Sequence, residues 1–153
     1  METITKPIVI PWDFTPVGEN ALAYADLIAN IIHREIILLH LVDKEETVIE
    51  ATKKLEAKIE ELQKNIKHKI HALVKAGNIF DTIREVAHEF KAEMVIMGTH
   101  GRTGMQKVTG SWALKVMANS KVPFLIVQDK PGKEVFKKIV FPIDFRKENK
   151  EKV

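Results

Sequence analysis

The sequence predicts an α/β fold, a doubly wound parallel sheet of five strands with helices on both faces. Short apolar runs of strand length alternate along the chain with longer segments whose apolar residues recur at helical spacing. Two segments that follow strands are also chemically unusual: Trp12-Asp13, and a glycine-rich stretch from Met97 to Lys115. In such sheets ligands bind beyond the carboxyl ends of the strands, where the strand order reverses.

The first half of the chain contains three predicted strands and two helices. The strands cover 7–12, 35–42 and 69–75, and the second is an apolar run apart from Glu35 at its start and one histidine. Thr15-Pro16 reads as an N-cap followed by proline in the first helical turn. One face of each helix is marked by residues three or four apart: Leu22, Ala25, Ala29 and Ile32, then Val48, Thr52, Leu55, Ile59 and Leu62.

The second half contains two more predicted helices and two more strands. Gly77-Asn78 opens a helix that carries its apolar residues on one face. The fourth strand covers 93–97, a helix runs from Ser111 to about Asn119, and the fifth strand covers 123–128. If the first and fourth strands are neighbours, Asp13 and Gly98 face each other across one crevice.

Composition restricts the class of protein. The chain has 153 residues, 45% apolar and 29% charged, without cysteine, which excludes disulfides and thiolate metal sites. We expect no membrane span and no secretory signal, and therefore a cytoplasmic protein. From Asp129 onward there are eight basic and five acidic residues, which leaves sixteen of each before it, so the net charge of +3 lies in the tail. A nucleic acid partner is not predicted, because that needs a clustered basic face.

The glycine-rich stretch has two interpretations. Gly98, Gly101 and Gly104 follow a predicted strand, and Gly110-Ser111 stands where a helix begins. Exposed backbone N–H groups and a helix N-terminus together bind phosphate. Alternatively, the glycines only shape the connection between strand and helix. The stretch matches neither of the common nucleotide-binding glycine motifs.

The order of these features resembles the universal stress protein family, over Met1 to about Asp129. The residues that carry the resemblance are the PxDF of the first strand, GTHGRTG after the fourth, and GS at the helix start. The ATP-binding branch has the signature Gly-x2-Gly-x9-Gly-Ser/Thr. Gly98, Gly101 and Gly110-Ser111 match it, with eight residues in the spacer instead of nine. The resemblance implies a Rossmann-like fold of the adenine nucleotide alpha hydrolase-like type.

The resemblance also implies a ligand, ATP or AMP, with Mg²⁺ accompanying ATP. Pro11 and Asp13 would contact the adenosine part, and Leu41 or Val42 would line the adenine pocket. The phosphates would lie near Gly101, Gly110 and Ser111, and Gly98 and Arg102 would also belong to the nucleotide site. Without the resemblance, Asp13 reads as a capping or turn aspartate before Thr15. The implied function is a regulatory module of the stress response, at most a slow ATPase, and the alternative is a dimerisation or interaction module that binds no nucleotide.

The tail repeats the first strand. KIVFPIDF at 138–145 aligns with PIVIPWDF at 7–14 at a constant offset of 131. We therefore divide the chain into a universal stress protein domain, 1–129, and a linker with the first strand of a second tandem repeat, 130–153. The alternative is a C-terminal strand that completes a single domain. We expect this strand to add to an exposed sheet edge, and the fifth strand to form a homodimer, as the resemblance implies.

Overall fold

The computed structural model describes residues 4, 6–99, 117, 120–132, 136–138 and 140. Its sheet contains five parallel strands in the order β3-β2-β1-β4-β5. The strands are β1 Ile8–Pro11, β2 Ile36–Val42, β3 Ile70–Ala76, β4 Met94–Gly98 and β5 Phe124–Val127. All five predicted strands are confirmed, and so is the α/β fold.

The described helices are α1 Pro16–Ile32, α2 Val48–Leu62 and α3 Ile79–Glu89. Thr15 caps α1 and Pro16 lies in its first turn, as predicted. Asn78 caps α3, where its side-chain oxygen accepts hydrogen bonds from the backbone N–H groups of Phe80 and Asp81 in the first turn. The predicted helix at 111–119 falls outside the described residues, except for Met117, which is helical.

The core consists of two layers, one on each face of the sheet. Successive strand residues point to opposite faces, so Ile8 and Ile10 pack with Leu55 of α2 on one side. Val9 packs with Ile83 of α3 on the other. The apolar faces predicted for α2 and α3 are therefore the faces that meet the sheet.

The strand order places the crevice where the sequence predicted it. The chain runs from β1 to β2 and β3 on one side, and then returns to β4 and β5 on the other. β1 pairs directly with β4, with Ile8 opposite Met94. The exits of these two strands, which carry Asp13 and Gly98, are therefore adjacent.

The described part of the tail does not form the expected added strand. The ring of Phe136 lies 6.2 Å from the ring of Tyr24 on α1, centroid to centroid. Lys138 and Val140 belong to no strand, and Val140 is 88% exposed. These two residues do not test addition of the whole segment to a sheet edge of this chain or of a partner chain, and β-addition stays a prediction. The remainder of 139–153 lies outside the described residues, and the tandem repeat stays a prediction.

In the described part of the chain, no helix combines the length and the apolar character needed to cross a bilayer.

Candidate functional site

A cavity of about 610 Å³ opens at the carboxyl ends of β1 to β4. This is the size of a small-molecule site, and it lies at the reversal of the strand order. The described lining comes from the exits of four strands and from the first turns of α1 and α3. It consists of Pro11, Trp12, Asp13, Gly18, His40, Leu41, Asp43, Gly77, Asn78, Ile79, Phe80, Met97 and Gly98.

Asp13 lines the cavity and caps the turn after β1 as well. Its Oδ1 accepts hydrogen bonds from the backbone N–H of Thr15 at 3.0 Å and from the Thr15 hydroxyl at 2.5 Å. The side chain is nevertheless exposed. The interpretation as a turn aspartate is confirmed, and the bonds to Thr15 fix the carboxylate at the mouth of the cavity, where its contact with a ligand stays a prediction.

Backbone groups of β2 are left open where β1 ends. In the odd-numbered residues of β2, the backbone N–H and C=O groups point toward β1. The carbonyl of Leu39, for example, accepts a hydrogen bond from Trp12 N at 2.8 Å. The backbone groups of Val42 point toward β3 instead, since its carbonyl accepts a hydrogen bond from Gly77 N at 3.0 Å. By this alternation the N–H and C=O of Leu41 point toward β1. Trp12 N to Leu39 O is the last rung between these strands in the described chain, so both Leu41 groups face the cavity.

The carbonyl of Trp12 is taken by a side chain. His40 Nδ1 lies 2.7 Å from Trp12 O, and because a carbonyl only accepts, Nδ1 carries the proton. The ring of Phe14 meets His40 edge to face at 4.9 Å. Lys54 Nζ lies 4.3 Å from the centre of the Phe14 ring. This stack fixes the position of the β1 exit on the side facing α2.

Gly98 is required by the approach of β4 to α1. A Cβ at this position would lie 2.5 Å from the carbonyl oxygen of Val17 and 2.6 Å from its Cγ1. Gly98 does not have a positive φ, so close contact, and not backbone conformation, demands glycine. The result is that the N-terminal turn of α1 lies directly against the exit of β4.

The charge of the described lining is negative. Asp13 and Asp43 contribute two exposed carboxylates, and the described lining contains neither lysine nor arginine. Carboxylates accept hydrogen bonds from hydroxyl groups and repel phosphate. This part of the cavity therefore suits an uncharged, hydroxyl-bearing group, and an anion would need donors from elsewhere.

Comparison with known proteins identifies the family. The family model described as "Universal stress protein family" matches residues 5–128. The chain belongs to the universal stress protein family.

Two curated relatives come from Methanocaldococcus jannaschii. Universal stress protein MJ0531 is 30% identical over 149 residues, covering 87% of each chain. Universal stress protein MJ0577 is 26% identical over 160 residues, covering 85% of this chain and 99% of the relative. The solved structure of MJ0577 superposes with a TM-score of 0.64 at 27% identity, covering 84% of this chain and 99% of that one.

A more distant solved structure shares the fold. The universal stress protein from Archaeoglobus fulgidus, solved in complex with dAMP, has a TM-score of 0.61. It is 23% identical and covers 82% of this chain and 99% of that one. These neighbours confirm the predicted fold class for this universal stress protein.

The structure brings together part of the predicted site. Pro11, Asp13, Leu41 and Gly98 line the cavity, whereas Val42 does not. Val42 directs its carbonyl to β3, and by strand alternation the side chains of Leu41 and Val42 point to opposite faces. The predicted phosphate ligands Gly101, Arg102, Gly110 and Ser111 lie outside the described residues. Within the described chain, no group of three or more metal-ligating side chains occurs.

Sequence reasoning missed the site roles of His40, Asn78 and Phe80. His40 has a visible signal, since it is the only polar residue inside the apolar run of β2. Asn78 was identified only as part of a helix start. Its side chain in fact places the first turn of α3, with Phe80, on the wall of the cavity. Only the strand order reveals that this turn lies beside Leu41.

Proposed function

We propose that this universal stress protein binds an adenine nucleotide, ATP or AMP, in the cavity at the exits of β1 and β4. It serves as a regulatory module of the stress response in the cytoplasm, not as a dedicated catalyst. The observation that carries the proposal is the open N–H and C=O of Leu41 beside the exposed carboxylate of Asp13.

The backbone of Leu41 complements adenine. Adenine presents a ring-nitrogen acceptor, N1, next to an amino donor, N6, and the N–H and C=O of one strand residue offer a donor next to an acceptor. Guanine and hypoxanthine carry the reverse pair, N1–H and O6, so each would leave both Leu41 groups unpaired. Asp13 would accept hydrogen bonds from the ribose hydroxyls, the usual partners of a carboxylate in dinucleotide sites.

The phosphates belong on the far side of the cavity from β2. There the chain leaves β4 at Gly98, and the sequence that follows contains Gly101, Arg102, Gly110 and Ser111. Backbone N–H groups, the guanidinium and a helix N-terminus would supply the donors that the described lining lacks. Mg²⁺ would arrive with ATP as its phosphate complex, since its preferred ligands are phosphate and one or two carboxylates.

Titration calorimetry with adenosine, AMP, ATP, IMP and GMP tests which part of the cavity binds the base, the ribose and the phosphates. We expect adenosine and AMP to bind and IMP and GMP to fail. Asp13→Asn should weaken binding, because the ribose hydroxyls lose a charged acceptor, while Glu45→Gln, outside the cavity, serves as the charge control. The absence of heat and of any thermal shift with about 1 mM AMP or ATP would refute the proposal, since even weak sites fill at that concentration.

A dimerisation module without nucleotide is the second candidate. The spacer between Gly101 and Gly110, one residue shorter than the signature, favours it, because the closing Gly-Ser is displaced by about one Cα step of ~3.8 Å. In both candidates we propose a homodimer through β5, which lies at an edge of the described sheet. Light scattering that gives the monomer mass of 17.4 kDa at micromolar concentration would contradict the dimer.

The repeated strand supports a further part of the proposal. We infer that a second domain of the same kind follows, starting at the segment 138–145, whose sequence repeats that of 7–14. Sequencing the gene beyond codon 153 tests it directly, and a stop codon at that point would refute it.

A further inference from the structure

We propose that His40 is a positioning residue of this site, which keeps the exit of β1 from pairing with the backbone of Leu41. The inference rests on the proposed adenine site for its ligand, but its structural part can be tested without one. His40 is part of neither the glycine signature nor the Asp13 turn. His40 also lines the cavity, and the effect proposed here is the one that it exerts through the backbone that it holds.

The first step concerns the rung that is replaced. Between β1 and β2, Ile8 N donates to Glu35 O at 2.9 Å and Trp12 N donates to Leu39 O at 2.8 Å. A parallel ladder would continue with Leu41 N–H donating to Trp12 O. In the described structure the Trp12 carbonyl accepts from His40 Nδ1 instead, at 2.7 Å. The imidazole thus supplies the Trp12 carbonyl with a partner at the place where the ladder would put the Leu41 N–H.

The second step concerns the orientation of the ring. Phe14 has a φ of 62°, a left-handed conformation that a bulky residue rarely adopts. In that conformation its ring lies edge to face against His40 and also 6.3 Å from the ring of Trp12. The imidazole is therefore confined between the turn after β1 and its own strand, with Nδ1 directed at the carbonyl.

The third step is the consequence of removing the donor. A leucine at position 40 would continue the apolar run of β2, but it would leave the Trp12 carbonyl without its partner. A partly buried carbonyl without a partner is costly, and the Leu41 N–H is the next donor along the ladder. In His40→Leu we therefore expect the ladder between β1 and β2 to gain one more hydrogen bond, from Leu41 N–H to Trp12 O. The Leu41 N–H is then no longer available to adenine.

Two polar variants separate positioning from simple polarity. In asparagine the amide nitrogen stands where histidine has Nδ1, whereas in glutamine it stands one bond further out. His40→Asn should therefore preserve the bond to Trp12 and leave Leu41 open. His40→Gln is of similar polarity and should behave like His40→Leu.

Amide hydrogen exchange of Leu41 tests the structural part without nucleotide. We expect its exchange to be slower in His40→Leu and His40→Gln than in the wild type and His40→Asn. In the wild type, ¹⁵N NMR of the neutral ring should show the Nδ1–H tautomer, a readout that needs no variant. Equal exchange in all four proteins, or the Nε2–H tautomer, would overturn the role of His40.

AMP titration tests the functional part. Loss of one backbone hydrogen bond should weaken AMP binding about tenfold in His40→Leu and His40→Gln, with His40→Asn close to the wild type. Unchanged AMP affinity in His40→Leu would overturn the effect on the ligand. If the wild type binds no AMP but the exchange rates differ as expected, the nucleotide proposal fails and the role of His40 at the strand exit is supported.

Discussion

Replacing Gly98 by alanine tests the close approach of β4 to α1. The added Cβ would lie 2.5 Å from Val17 O and 2.6 Å from Val17 Cγ1, well inside the normal contact of about 3.5–4.0 Å between carbon atoms. The valine side chain is restricted in a helix, and the carbonyl belongs to the first turn of α1. The helix must therefore shift, and overpacking of this kind costs about 1–3 kcal/mol.

The free energy of unfolding, measured by urea denaturation, gives the size of this effect. Gly132→Ala is the matched control, because a Cβ there would meet nothing within 4 Å and its φ is not positive. That variant should be neutral or up to about 1 kcal/mol more stable, since alanine restricts the unfolded chain. If Gly98→Ala is as stable as Gly132→Ala, the close contact does not constrain this strand exit and our explanation of Gly98 is wrong.

Three further predictions concern the body of the fold. Leu55→Ala should lower the free energy of unfolding by about 2–5 kcal/mol, because the side chain is fully buried. Ile49→Ala on the same helix should lower it little, because that side chain is 72% exposed. The opposite order in urea denaturation would contradict the packing of α2. Asn78→Ala should cost about 1 kcal/mol through loss of the α3 cap, and an unchanged midpoint would exclude that role. Hydrogen bonds from Asn78 and then Arg84 lower the pKa of Asp81 below its ordinary value of 3.8. The ionised carboxylate therefore stabilises the fold at pH values above 3.8. This stabilisation is lost as the pH falls through the lowered pKa. The stabilities of wild type and Asp81→Asn should therefore differ near neutrality and converge in acid, and a constant difference would contradict this.

The strands and helices could be predicted because their patterns are long and local. The apolar run of β2 records burial on both faces of the sheet, and the helical spacing on α3 records burial on one face of the helix. The bounds of β2 differ from the prediction by one residue at most. The short 3₁₀ turn at Glu45–Thr47 was not predicted, because three polar residues carry no periodicity. The course of the tail at Lys138 and Val140 could not be predicted, because an apolar segment does not determine which surface it contacts.

The site was predictable only in part. Asp13 and Gly98 stood out as unusual residues directly after strands. The choice between Leu41 and Val42 could not be made, because it depends on which neighbour each strand residue faces. His40 looked like one histidine among six, and its bond to the Trp12 carbonyl joins residues 28 positions apart.

The sequence by itself determined the alternation of strands and helices, the cap at Thr15 and the helix start at Gly77-Asn78, because burial and capping depend on residues a few positions apart. The tertiary structure decided the order of the strands, and with it the adjacency of Asp13 and Gly98. It also decided that the Leu41 backbone stays open, since that follows from where β1 ends and from a bond that His40 makes to another strand. Such pairings depend on contacts between segments that are far apart in the sequence, and these segments meet only when the chain folds.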